Sequence, residues 1–161
     1  MSSKVKKLVP SLVCHPNAIP AFELTQFLFC RDSATAPQPE RLKLYARTRK
    51  LQYFRKEQNN LFLDGWMSLL LNDDFTFKKL ISAHPSNIEF NSWLYAIDAI
   101  VALSNKVNFL PNLGYFFDSA PGHVQARLFC DQVPRTTLAK VVKFSGESRA
   151  SVRYYLQNKR G

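Results

Sequence analysis

The feature that most restricts the fold of this 161-residue chain is the pattern at 136–156, TTLAKVVKFSGESRASVRYYL. Leu138, Val141 and Val142 recur at three- and four-residue spacing, which lays an apolar stripe along one side of a helix. Ser145-Gly146-Glu147 interrupts that stripe. A glycine there takes the left-handed conformation that closes a helix, at none of the steric cost a side chain would bring. Ser148 follows with a hydroxyl suited to capping, and Val152, Tyr155 and Leu156 resume the helical spacing. The pattern predicts two short helices packed through their stripes and joined by a tight turn.

The outward side of the second helix would carry Ser148, Arg149, Arg153 and Tyr154, a set suited to insertion into a DNA major groove. Thr136, Lys143, Ser151, Lys159 and Arg160 complete the candidate DNA-contacting residues. The alternative is a helical hairpin that only packs. The basic outer side and the Lys159-Arg160 pair that follows it favour the DNA reading.

At these positions the chain resembles known regulators. Thr136, Val141-Val142, Ser145-Gly146, Ser148, Tyr154-Tyr155 and Lys159 look like the DNA-reading helix-turn-helix of tetracycline-repressor-type regulators. Arg153-Tyr154-Tyr155 is similar to the recognition helix of mercury-resistance-type (MerR) regulators. Further back, Arg41-Leu42-Lys43-Leu44-Tyr45, Glu57-Gln58-Asn59 and Trp66 before Leu69-Leu70 faintly resemble the flagellar master-regulator subunit FlhC family, without that family's four-cysteine zinc site. The resemblances imply double-stranded DNA as partner and a role in transcription.

Charge agrees with a polyanionic partner because of where it sits. The net charge is +10, from 22 basic and 12 acidic residues. Residues 41–56 hold Arg41, Lys43, Arg47, Arg49, Lys50, Arg55 and Lys56 with no acid. Residues 135–161 hold seven basic residues against Glu147 alone, so the remainder of the chain is slightly acidic. A localised excess is the footprint expected of a nucleic-acid contact rather than of general solubility. For 41–56 the choice between phosphate contact, partner contact and a solvated face stays open. The run is expected on a helix from Glu40 to about Asn59 and lacks the acids that would form i,i+4 pairs.

Elsewhere the chain reads as helices separated by proline-rich breaks. Residues 1–19 look loosely ordered, a short helix begins at Pro20, and Arg31 to Pro39 is a loop. Leu61 to Leu71 is core, with Trp66, Leu69 and Leu70, and Phe75 to Ser82 is another short helix. Ser86-Asn87-Ile88-Glu89 predicts a capping box. It would open a long helix with Phe90, Trp93, Leu94, Ile97, Ile100 and Val101 on a core or dimer face. Val107 to Phe117 is an aromatic connector beneath the last module, and His123 to Gln132 a helix presenting Val124, Leu128 and Phe129.

Cys14, Cys30 and Cys130 form no CxxC pair, which argues against a zinc site or disulfide framework and for buried thiols in a reducing cytosol. His15, His84 and His123 are scattered, and no phosphate loop, GxSxG or HExxH motif is present. The expectation is therefore a non-enzyme without metal or cofactor. It is an all-α chain with a helical dimerisation or partner-binding body at 1–118 and a tri-helical helix-turn-helix module at 119–161. Function is expected to be a cytoplasmic, nucleoid-associated, bacterial or mobile-element transcriptional regulator. It would bind double-stranded DNA as a homodimer or with a partner subunit, away from membranes. The alternative is an architectural or accessory DNA-binding protein for replication, partition or recombination.

Overall fold

A computed structural model of the chain describes residues 11–32, 39–71, 78–79 and 82–158. Its elements in order are β1 (Ser11–Cys14), a 3-10 turn (Pro16–Ala18), α1 (Ile19–Asp32), α2 (Pro39–Thr48), β2 (Gln52–Lys56) and β3 (Asn59–Asp64). There follow α3 (Met67–Leu70), β4 (Lys78–Lys79), α4 (Pro85–Leu103), α5 (Phe109–Ser119), α6 (Gly122–Leu128), α7 (Thr137–Ser145) and α8 (Arg149–Asn158). The fold is mostly helical but not all-α. A small sheet of order β1-β3-β2-β4 is present, with β1 parallel to β3 and β3 antiparallel to β2.

The sheet corrects three expectations. The helix predicted from Glu40 to Asn59 stops at Thr48, and the rest of that segment forms the β2–β3 hairpin. Tyr53 and Phe54 pair across it with Phe62 and Leu61, and Glu57 takes a positive φ of 56° in the two-residue turn. Aromatic residues on paired strands gain cross-strand contacts that an isolated helix would not supply, so tertiary pairing overrides local helix propensity. Within the expected loose segment, Ser11–Cys14 is a strand because it finds β3 as a parallel partner. Of the helix expected from Phe75 to Ser82, Lys78–Lys79 instead pairs with β2, Ser82 is in neither helix nor strand, and the remaining residues lie outside those described.

One glycine lets the hairpin close at its open end, where the chain leaving β3 meets the link that enters β2. Gly65 has φ +74°, and a Cβ there would stand 2.2 Å from the Lys50 carbonyl oxygen. Only glycine permits both the left-handed backbone and that approach.

The hub of the core is α4, which packs on α1, α2, β3, α5 and α6. Tyr95, Ala96, Ala99, Ile100 and Leu103 are fully buried along it. The Met67 backbone N–H donates to the Tyr95 hydroxyl at 3.0 Å, and the Trp66 ring meets Tyr95 edge-on at 4.6 Å. Burial pushes the Tyr95 phenol above its ordinary pKa. The predicted capping box does not form. The cap is His84, whose Nδ1 accepts from the Ser86 N–H, and Glu89 contacts His123 of α6 instead. Pro85 explains the shift: its preset φ and missing N–H suit the first helical position, so the helix begins before Ser86 can act as cap.

A polar network ties α1 to α5. Arg31 donates to both Asp32 carboxylate oxygens at 2.8 and 2.9 Å and to Asn112 Oδ1 at 2.5 Å. Asn112 Nδ2 in turn donates to Asp32 and to Ser104 Oγ. Asp32 and Asn112 are buried, and this mutual pairing is what lets them be so. The cysteines are free, but Cys30 and Cys130 are exposed, against the expectation of buried thiols. Only Cys14 is partly covered.

Candidate nucleic-acid interface

The segment 136–156 folds as its spacing predicts. Thr136 caps α7, its Oγ1 accepting from the Ala139 N–H at 3.2 Å, and Gly146 ends the helix at φ 73°. The Gly146 N–H closes the last turn on the Val142 carbonyl at 3.0 Å. Ser148 Oγ accepts from the Ser151 N–H at 3.1 Å and so caps α8. Val141 and Val152 are completely buried where the two helices meet, with Leu138, Val142, Tyr155 and Leu156 half-buried around them. Burying each valine contributes about 1.5–3 kcal/mol.

The third helix of this unit is α5, whereas the sequence placed that role on residues 123–132. Both α7 and α8 pack on α5, while α6 packs on α4. Segment 107–117 lies beneath α7 and α8 as expected, but it is largely helical rather than a connector; α5 tolerates Pro111 because it falls in the first turn, where that N–H has no helical acceptor. Thr137 Oγ1 donates to Asp118 Oδ1 at 2.6 Å and pins the start of α7 to the end of α5. Phe144 adds an edge-on contact to Phe117 at 6.1 Å.

The outer side of α8 is a single stripe. Arg149, Ala150, Arg153, Tyr154 and Gln157 are exposed at three- and four-residue helical spacing, and the helix carries no acid. Tyr154 is 62% exposed and meets Tyr155 edge-on at 5.4 Å, so its ring is oriented although it is solvated. Arg153 also borders an open cleft of about 380 Å³ with Thr137, Leu138, Leu156 and Gln157. The arginine therefore stands beside the N-terminal turn of α7.

Not every candidate residue projects freely. Thr136, Ser148 and Ser151 spend their hydroxyls on caps and on one another. Lys143 Nζ donates to the Gln132 carbonyl at 2.9 Å. Lys159 and Arg160 lie outside the described residues. Arg149, Arg153 and Tyr154 remain as the outward set, and Gln157 joins them. Its four-residue spacing from Arg153 was the available signal.

The basic run 41–56 is divided among three elements. Lys43 and Arg47 are exposed on α2, Arg49 and Lys50 on the link after it, and Arg55 and Lys56 at the end of β2; Arg41 lies in α2 with its side chain outside the described set. Arg49 already has partners: its guanidinium reaches Asp98 at 3.4 Å and lies 5.6 Å from the Tyr95 ring centroid. The run is a discontinuous patch, not one helical face.

Each histidine has a hydrogen-bonding partner. His15 Nδ1 accepts from the Asn17 N–H, His84 caps α4, and His123 pairs with Glu89. Burial and the nearby Lys56 lower the His15 pKa. Among the described residues no three His, Cys, Asp or Glu side chains group as metal ligands, and no helix is long and apolar enough to cross a membrane. The chain matches no protein-family model, no curated protein and no solved structure.

Proposed function

We propose that this chain is a DNA-binding transcriptional regulator of the helix-turn-helix kind, with α8 as its reading helix. The observation that carries the proposal is the acid-free outer stripe Arg149, Arg153, Tyr154 and Gln157 on a helix whose inner face is locked by Val152. An α-helix fits the major groove, and arginine can take a guanine edge in a bidentate pair or a phosphate from the backbone. The caps at Thr136 and Ser148 and the αL turn at Gly146 hold the two helices in fixed relation, so docking would cost little ordering entropy. The resemblance to tetracycline-repressor-type and MerR-type reading units supports the same assignment.

The test is selection of bound duplexes from a random pool by the full chain, followed by titration of the Arg149→Ala/Arg153→Ala double variant. Enrichment of one motif, with loss of its preference in the double variant, supports the reading. Indifference of affinity to both changes overturns it. Genome-wide binding compared with transcript changes then separates a regulator from an accessory protein confined to an origin or recombination site.

A further inference from the structure

We propose that the exposed stripe of α1 around Phe27, together with Tyr115 of α5, is the surface through which two copies of this chain associate. The solvent side of α1 is a continuous stripe at helical spacing: Ile19, Glu23, Gln26, Phe27, Cys30 and Arg31. At its centre Phe27 is 50% exposed and meets Tyr115, itself 38% exposed, edge-on at 5.8 Å. The Arg31 guanidinium lies 5.7 Å from the Phe27 centroid and 5.3 Å from the Tyr115 centroid. Its hydrogen bonds to Asp32 and Asn112 anchor it from behind. Aromatic residues and arginine dominate binding hot spots, and here they are already ordered before any partner arrives.

Charge decides what covers the surface. The exposed charges on this stripe are one acid, Glu23, and one base, Arg31, the latter paired with the buried Asp32, in a chain of net charge +10. A nucleic acid gains nothing from this face. Two copies of so basic a chain repel one another through most of their surfaces, and here that repulsion is absent. A two-fold contact also needs a patch complementary to itself, which ring faces, ring edges and an internally neutralised Arg31–Asp32 pair supply.

The surface is connected to the proposed reading helix. Gly114, next to Tyr115 on α5, is the residue against which Leu156 of α8 seats. Joining two copies through Tyr115 therefore sets the relation of two α8 helices through one rigid element. In this respect the inference rests on the DNA reading, because a single recognition helix covers only a few base pairs and half-sites lie about 34 Å apart.

The test is the solution mass of the full chain without DNA, so that its outcome is separate from that of DNA binding. Expected is twice the 18.5 kDa chain mass at micromolar concentration. Phe27→Glu and Tyr115→Glu should each weaken association by at least about thirtyfold, and the milder Phe27→Ser in the same direction. Circular dichroism should show all of them folded. Val107→Glu, at an apolar residue 58% exposed in the turn between α4 and α5, should leave the mass unchanged. A wild-type chain that stays monomeric at tens of micromolar, or a dimer indifferent to both glutamates, overturns the proposal.

Discussion

Gly114 of α5 lies so close beneath Leu156 of α8 that a methyl group added there would stand 2.8 Å from the leucine Cδ2. The outer arginines of α8 are thereby referenced to α5, and through the Asn112–Asp32–Arg31 network to α1. The proposed reading helix is seated on the main core: Val141 and Val152 belong to the same apolar cluster as Trp93 and Phe116.

That seat can be tested by enlarging it. Gly114→Ala should change stability by less than about 1 kcal/mol, because the clashing atom ends a flexible side chain and alanine favours helix by a similar amount. Gly114→Val should cost about 1–3 kcal/mol by overpacking and weaken DNA binding as α8 shifts. Thermal melts beside DNA titrations check both.

Gly65→Ala should be far more damaging than Gly114→Ala. The new Cβ meets the backbone of Lys50 and Leu51 at 2.2–2.6 Å, where no rotamer change can relieve it, and φ is +74°. A loss of more than about 2 kcal/mol is expected, read as a fall in the urea midpoint. A variant as stable as the parent would mean the base of the hairpin does not close on Lys50 and Leu51 as described.

Arg149→Ala and Arg153→Ala should separate base reading from phosphate contact. Loss of a base contact relaxes preference at one position by about 1–3 kcal/mol. Loss of a phosphate contact weakens all duplexes alike and lowers the salt slope by about one unit. Binding to a matched and a scrambled duplex at several salt concentrations distinguishes the two for each residue.

For the basic patch, the informative variant is Lys50→Glu/Arg55→Glu/Lys56→Glu, which leaves the Arg49–Asp98 pair intact. If these residues meet phosphates, affinity for specific and random DNA falls together and the salt dependence flattens by about 0.9 unit per contact. Unchanged binding and slope would assign them to a solvated or protein-facing surface.

Thiol labelling should proceed in two steps. Cys30 and Cys130 are exposed, whereas burial, with Glu23 nearby, pushes the Cys14 thiol up to about 12. The thiolate is the reactive form, so at pH 8 Cys14 is almost wholly protonated and slow. Mass spectrometry should find two rapid modifications on the native chain and the third only after unfolding. Three rapid modifications would contradict the environment described for Cys14.

Much of the C-terminal unit was legible because its determinants are local. Thr136, Gly146 and Ser148 act within three or four residues of themselves, and the stripe through Val141 and Val152 repeats at helical spacing. Glu89 shows where local reading fails even for a helix correctly placed. Its capping signature was present, yet Pro85 moved the start and His123, 34 residues away, took the carboxylate.

The sequence by itself determined the existence of α1, α4, α7 and α8, the turn between the last two, and the segregation of charge. Each follows from spacing, capping chemistry or composition along a short stretch of chain. Tertiary structure alone decided that 52–64 is a hairpin, that Ser11–Cys14 joins it, and that the segment expected beneath the last unit as a connector is the helix α5. Those outcomes depend on partners distant in sequence. A strand is stabilised by hydrogen bonds to another strand, and Gly114 acquires its meaning only once Leu156 lies against it.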